Sequence, residues 1–363
     1  MSAREFQVVG WDIGGAHLKA CLLVDGRVRD VVQWACPLWQ GLEHLVAALG
    51  QARRRWPQAL EAVHAVTMTG EMTDLFPDRQ AGVDTLVRTL QAQLPGPLRV
   101  YAGPGRWVAP EGAAAHWPLI ASANWLATAQ HCAAELGTGL LVDIGSTTTD
   151  LITFQDGRVQ TRSRSDRDRL ASGELAYHGA VRTPLCALAS RIELQGQALN
   201  VMNELFATSA DVYRLTGELD AAHDLHPAAD GGAKTPHATR QRLARMVGCD
   251  VREAGEAQWL AFARAWRSAQ VGALAASLQR VLQQAALPAH GLQVVSAGCG
   301  DFLVPDLLDT ARGPHAPPVR LLRYGQRLAR VPGDDPPADG VRAWAQVCAP
   351  SVAVAALYDL EHR

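Results

Sequence analysis

Two stretches of this chain align without a gap, and that repeat constrains the fold more than any other feature. Asp12 to Val28 reads D-I-G-G-A-H-L-K-A-C-L-L-V-D-G-R-V; Asp143 to Val159 reads D-I-G-S-T-T-T-D-L-I-T-F-Q-D-G-R-V. Each follows an apolar run, Val8-Val9-Gly10-Trp11 in one case and Leu140-Leu141-Val142 in the other. Each therefore reads as strand, D-I-G turn, strand, D-G-R turn. Asp25-Gly26 and Asp156-Gly157 are type I′ hairpin signals between β-forming runs. One D-I-G occurs at many strand ends. Two with the same downstream hairpin predict a duplicated unit.

The turn chemistry points to a phosphate and a cation. Gly14, Gly15 and Gly145 let a backbone approach a ligand closely. Successive N–H groups in a tight turn form an anion nest, and Ser146, Thr147, Thr148 and Thr149 add hydroxyl donors. Asp12 and Asp143 would repel phosphate unless a hard cation, Mg²⁺ with its waters, lies between. Two facing copies would clamp a polyphosphate in a cleft between two domains. The competing reading is two ordinary hairpins with surface turns. A third glycine turn, Gly298-Cys299-Gly300, follows the apolar strand at Val294-Val295 and would add another phosphate- or nucleotide-facing loop.

Composition narrows the classes. The 363 residues allow two domains, and 48% hydrophobic with 19% charged residues excludes a disordered or fibrous chain. A net charge of −2 and 6% aromatics argue against a nucleic-acid partner. The longest apolar stretch, Val347 to Tyr358, contains Pro350 and falls short of a bilayer's ~20 residues. The polar start Met1–Phe6 lacks a signal-peptide pattern, and seven cysteines form neither a disulfide framework nor a CxxC pair. The expectation is a cytoplasmic protein with no membrane partner. Of 34 Lys+Arg residues only Lys19 and Lys234 are lysines. A lysine kept in so arginine-rich a chain suggests a place for a compact ammonium.

Further along, Val63–Thr69 reads as a strand and Val83–Leu94 as a helix. Between them Glu71 and Asp74 are either an acidic cluster at the cleft edge or neighbours of a helix cap at Thr73 or Asp74. Ser122-Ala123-Asn124-Trp125 opens a helix linking the halves, and Arg162–Arg169 reads as a solvated loop. Glu174, Tyr177 and Arg182 are candidate substrate contacts, or a strand and turn before Pro184. Helices are expected over Glu204–Leu219, Thr239–Val247 and Ala257–Leu287, and over Gly340–Leu360 with a break at Pro350. Residues from about 168 to 250 read as a helical insertion able to lid the cleft. His17, His116, His131 and His178 make no zinc-ligand spacing.

The two D-I-G hairpins and the late strand–G-x-G resemble the actin, sugar-kinase and Hsp70 superfamily. That resemblance implies an α/β fold of duplicated ribonuclease-H-like (actin-like ATPase) domains with a cleft between them and a helical insertion. The first domain would span 1–130 plus a C-terminal helix at 340–363, the second 131–339. Within the superfamily, a set of motifs is similar to hydantoinase/oxoprolinase-like proteins of the one-carbon-transfer pathway. These are W-D-I-G-G-A-H-L-K, T-G-E-M-T-D-L-F, S-A-N-W, D-I-G-S-T-T-T-D, G-E-L-A-Y-H-G-x-x-R-T-P, N-E-L-F-A-T-S-A-D-V, A-D-G-G-A-K, R-L-A-R-M-V-G-C-D and S-A-G-C-G-D-F-L-V. His17 stands where the pattern leads us to expect asparagine.

The resemblance implies a transferase of methanofuran and methylofuran biosynthesis. It would join 5-(aminomethyl)-3-furanmethanol diphosphate to the phenol oxygen of γ-glutamyltyramine and release pyrophosphate, without ATP. Asp12 and Asp143 would hold Mg²⁺, and Lys19 and the loop amides would stabilise the leaving group. Glu71 or Glu174 would accept the phenol proton, and Arg182 and Lys234 would hold the glutamyl carboxylates. Gly298 and Gly300 would join the phosphate loops. The alternatives are an ATP-dependent small-molecule kinase, with Asp301 or Asp150 as base, an ATP-dependent cyclic-amide hydrolase, and a non-enzymatic actin-like or chaperone-like binder. Whether the chain forms a homo-oligomer is left open.

Overall fold

The computed structural model describes residues 6–363 apart from 60, 162–163, 286 and 289. Both D-G turns close as expected. Asp25 and Gly26 have φ of 49° and 70°, and Asp156 and Gly157 have 50° and 74°, the pair of positive values a type I′ turn requires.

The first sheet contains β1 (Gln7–Ile13), β2 (His17–Val24), β3 (Arg27–Ala35), β4 (Val63–Met68), β5 (Leu98–Tyr101) and β6 (Trp107–Val108), in the order β3-β2-β1-β4-β5-β6. The second contains β7 (Gly139–Ile144), β8 (Thr149–Gln155), β9 (Arg158–Gln160), β10 (Leu175–Ala176), β13 (Gln293–Ala297) and β14 (Arg320–Arg323). Its main path is β10-β8-β7-β13-β14, with β9 also paired to β8. A separate hairpin is formed by β11 (Arg191–Leu194) and β12 (Gln197–Asn200). The five strands β3-β2-β1-β4-β5 and β9-β8-β7-β13-β14 match in direction as well as order: two antiparallel pairings, then two parallel ones. This is the duplicated ribonuclease-H-like arrangement that the repeat implied.

Two helices join the halves. Ala349–His362 packs on β1, β2 and β4 and on Asn124–Leu136, which in turn packs on β7, β8 and β9. The contact with β1 requires glycine at position 10. A Cβ there would lie 2.1 Å from the Ser351 carbonyl oxygen. The C-terminal helices are Pro336–Val347 and Ala349–His362, bent by 98° at Cys348. Pro350 therefore opens the second helix instead of breaking a long one, since its missing N–H would be unpaired in a first turn anyway. Among the described residues, no single helix is long and apolar enough to cross a membrane.

Several expected boundaries move for capping reasons. The helix expected over Val83–Leu94 runs Arg79–Gln93, because Asp78 accepts the Ala81 N–H; neither Thr73 nor Asp74 is the cap. The helix expected over Glu204–Leu219 is confined to Ser209–Thr216, between the Thr208/Asp211 capping box and Gly217. The one expected over Thr239–Val247 runs Pro236–Arg245, capped by Thr235. The long helix is Glu256–Gln284. The insertion carries the β11–β12 hairpin as well as helices. Arg162–Arg169 is not simply a solvated loop. Residues 162–163 lie outside the described residues, but Asp166–Ser172 is helical and both Asp166 and Arg169 are buried.

Candidate functional site

The register of the two hairpins sets the site. In β1 and β2, Asp12 lies directly across from Lys19. In β7 and β8, Asp143 lies directly across from Asp150. The repeat thus presents lysine in one copy and aspartate in the other at the same structural position. Both D-I-G turns line one cavity of ≈ 310 Å³, with Asp12, Gly14, Gly15, Lys19, Asp143, Gly145, Ser146, Thr147, Thr148 and Asp150 in its wall. The volume is within the ~300–1,000 Å³ usual for small-molecule sites.

The wall is rich in buried charge. Lys19 Nζ lies 3.6 Å from Asp12 Oδ2, and the Asn124 side chain also favours the ionised Asp12 carboxyl. Asp12 Oδ1 is buried and has no hydrogen-bond partner. Arg169 donates to Asp150 Oδ1 at 2.5 Å, while its guanidinium stacks 3.9 Å above the Trp125 ring. Burial raises the carboxyl pKa of Asp12, of Asp150 and of Asp143, the last to about 7, with Asp150's charge as its second cause and Lys19 opposing. Burial is the largest single influence on Lys19 and depresses it, but the surrounding negative groups, Asp12 first and Asp143 among them, together outweigh it and hold the ammonium above its ordinary value. Three carboxyls thus face two cations in a desolvated wall. The unpartnered Asp12 oxygen and the raised Asp143 suit a further cation. Among the described residues no group of three His, Cys, Asp or Glu forms a metal cage. Mg²⁺, however, commonly takes one or two carboxylates together with substrate phosphates and water.

The turn amides divide into two classes. The Gly14 N–H donates to the His17 carbonyl and the Gly145 N–H to the Thr148 carbonyl, closing the turns. The glycines make room for this geometry, and the hydroxyls of Ser146, Thr147 and Thr148 border the cavity. Arg182 also lines it, 3.5 Å from Thr147 Oγ1, with its guanidinium 4.7 Å over the Trp39 ring. Tyr177 is half exposed at the same wall. His17 is buried edge-on against His226, with ring centroids 4.6 Å apart. Burial pushes its pKa far down, so the ring is neutral.

Five expected site residues, and the alternative base Asp301, are placed outside the cavity wall. The Gly298 N–H donates to the Gln346 carbonyl and the Gly300 N–H to the Ile144 carbonyl. A Cβ on Gly298 would sit 2.1 Å from the Ile144 carbonyl oxygen. These glycines let β13 pack against the end of β7, and they do not line the cavity. Glu174 is held behind Arg169, accepting from Thr161 Oγ1 at 2.8 Å. Lys234 pairs with Asp224 at 2.9 Å, away from the cavity wall. Asp301, considered as a kinase base, pairs with Arg323 instead. Glu71 is buried one layer back. Its Oε1 accepts from the Ser122 N–H at 2.8 Å and from Ser122 Oγ at 3.0 Å, and burial lifts its pKa to about 7.

The structure brings in Ser122, Asn124, Asp150, Asp166 and Arg169, all on the cavity wall. For Asp150 a signal existed, since it is the repeat partner of Lys19. Asp166 and Arg169 sit in a charge run whose spacing does not reveal their burial.

With this geometry in hand, comparison with known proteins is informative. The chain is 26% identical over 306 residues to the (4-{4-[2-(gamma-L-glutamylamino)ethyl]phenoxymethyl}furan-2-yl)methanamine synthase of Methanocaldococcus jannaschii, covering 84% of this chain and 89% of that protein. A protein of the same name from Methanococcus vannielii is 26% identical over 170 residues, 47% of this chain and 74% of its own length. Among solved structures, nucleotide-free acetone carboxylase superposes with a TM-score of 0.51 at 13% identity, over 83% of this chain and 66% of that one; this likeness concerns the fold alone. The Hydantoinase/oxoprolinase family model matches residues 62–312, from β4 through the helix after β13, and the chain belongs to that family.

Proposed function

We propose that this chain is a transferase that joins the furanylmethyl carbon of 5-(aminomethyl)-3-furanmethanol diphosphate to the phenol oxygen of γ-glutamyltyramine, releasing pyrophosphate. The observation that carries this reading is the meeting of both D-I-G turns in one cavity, with Asp12, Lys19 and Asp143 in its wall. The relatives named as a synthase of the corresponding ether support the same reading.

The step balances simply. The bond between the methylene carbon and the diphosphate oxygen breaks, and its electron pair leaves with pyrophosphate. The phenol oxygen bonds the carbon and loses its proton. A furan ring stabilises the carbocation that develops, so the enzyme's main task is to stabilise the leaving group. Lys19 and the hydroxyls of Ser146, Thr147 and Thr148 are placed to meet phosphate oxygens. Arg182, stacked on Trp39, suits a carboxylate of the glutamyl group. Asp12 and Asp143 are the residues that would hold Mg²⁺, which when bound neutralises charge on the departing pyrophosphate. Glu174 and Lys234 take no part, because neither borders the cavity.

The N–H groups of Gly298 and Gly300 are used internally and are not available to a nucleotide's phosphates. That favours a substrate carrying its own diphosphate over an ATP-dependent kinase or cyclic-amide hydrolase. The test is incubation with Mg²⁺, γ-glutamyltyramine and the furanmethanol diphosphate, without nucleotide. Ether and pyrophosphate in equal amounts are expected. No ether without ATP, or a phosphorylated product with it, would replace this reading with the kinase.

A further inference from the structure

Ser122 occupies an unusual place. Its backbone is left-handed, with φ of 52°, a conformation that costs a serine roughly 1–2 kcal/mol and tends to mark functional positions. Ser122 is one of the residues lining the cavity. Behind it stand two carboxyls from different halves of the molecule: Glu71, just after β4, at 3.0 Å, and Asp166, in the helix Asp166–Ser172, at 2.9 Å. Oγ carries one proton, and two oxygen–oxygen contacts this short each need one. The second proton has to come from a carboxyl. The trio is therefore satisfied when it holds one proton beyond the serine's own, shared by Glu71 and Asp166 across Ser122.

Resting on the proposed transferase reading, we propose that Ser122 takes the phenol proton from the acceptor substrate and passes its own to the Glu71/Asp166 pair. With both carboxyls ionised, the phenol O–H donates to Ser122 Oγ, and the serine proton moves to the pair. The phenol oxygen is then free to bond the methylene carbon as pyrophosphate departs. The arrangement seen is the loaded state, and return of one proton to solvent resets it. Charged and titratable neighbours of the pair fit this role. Arg79 lies 3.6 Å and Arg169 4.0 Å from Asp166. Tyr177 and Asp150 are the other groups within electrostatic reach. Glu71 Oε2 is buried without a partner, and burial raises that carboxyl to about 7, so the loaded form persists to neutral pH. Ser122 is the catalytic residue here, touching substrate; Glu71 acts through it.

Ser122→Gly tests the idea cleanly, because glycine accepts the positive φ and keeps the N–H bond to Glu71. The variant is expected to unfold at a temperature no lower than wild type, lose about 10²-fold in kcat, and keep the KM for the diphosphate. Wild-type kcat is expected to rise with pH through about 7, and Glu71→Gln to flatten that rise. Infrared difference spectra of the substrate-free protein should show carboxylic-acid C=O intensity at pH 6 that disappears by titration, one part lost in Glu71→Gln and a separate part, from Asp143, lost in Asp143→Asn. If wild type makes the ether while Ser122→Gly and Glu71→Gln match its kcat and pH profile, the relay is wrong and the transferase reading stands. If wild type makes no ether, both fall.

Discussion

Asp143→Asn separates what the site does for catalysis from what it does to stability. Asp143 is almost fully buried, and its carboxyl is pushed from an ordinary 3.8 to about 7, first by desolvation and then by Asp150. The folded state therefore binds a proton more tightly than the unfolded state. Below pH 3.8 both states are protonated and the site is neutral to stability. Between about 4 and 7 the unfolded chain has released its proton and the folded chain has not, so stability falls as pH rises. Above 7 the full penalty applies. At 1.36 kcal/mol per unit it amounts to about 4 kcal/mol, and about 2–4 after local relaxation. Asparagine removes the charge at constant size. In urea titrations without divalent ions, Asp143→Asn is expected to match wild type at pH 4 and to exceed it by about 2–4 kcal/mol at pH 8. Saturating Mg²⁺ should stabilise wild type by about 3 kcal/mol at a hundredfold excess over Kd and leave the variant unmoved. Turnover of the variant should fall ~10²-fold or more. A variant less stable than wild type at pH 8, or a difference that does not change with pH, would refute the reasoning.

Four further outcomes follow from particular contacts. Lys19→Arg should fold normally and lose ~10²-fold in kcat, since a planar guanidinium does not replace the compact ammonium opposite Asp12; steady-state kinetics on the purified variant checks this. Gly298→Ala places a Cβ 2.1 Å from the Ile144 carbonyl oxygen at a φ of 86°, and thermal denaturation should reveal a loss of more than ~2 kcal/mol. Glu174→Gln and Lys234→Ala should keep kcat within about twofold of wild type, and losing Lys234 from the buried Asp224, which keeps Arg214, should cost about 1–3 kcal/mol. The furanmethanol monophosphate should be a poor donor in the same assay, because it reaches one of the two loops.

What was legible in the sequence was local. A D-G pair between β-forming runs specifies its own turn, and D-I-G at a strand end specifies a tight bend, so both hairpins and their duplication could be read directly. Site chemistry was legible as far as it belonged to those turns. It failed where a residue's role depends on a distant partner. Arg169 reads as one more charge in a polar run until Asp150 and Trp125 are brought to it from 19 and 44 positions away. Gly298 and Gly300 spell a phosphate loop, but the same glycines are equally needed where one strand end crowds another, and here Ile144 and Gln346 take their N–H groups. The scarcity of lysine singles out Lys19, which lines the cavity, and Lys234, which pairs with Asp224 outside it, because composition carries no position. Ser122 stands out in the sequence only as the first residue of S-A-N-W; only the fold shows that its hydroxyl faces two carboxyls from opposite halves.

The duplication also explains why one cleft can treat the two ends of a substrate differently. Two identical hairpins facing each other would give a symmetric wall. Here the residue opposite each D-I-G aspartate differs: Lys19 neutralises Asp12 within one turn, whereas Asp150 leaves Asp143 facing a like charge and recruits Arg169 from outside the hairpin. The first turn thus brings its own cation to the cavity, while the second keeps a carboxyl whose pKa is raised to about 7 beside a row of hydroxyls. One side suits phosphate oxygens directly. The other suits them through a divalent ion, with the neutralisation shared between protein and metal. The diphosphate leaving group of the proposed reaction, which gains charge as it departs, would be served by both. Exchanging Lys19 for aspartate would make the copies alike and leave five carboxyls against two arginines in the wall, which would repel the diphosphate of the proposed substrate.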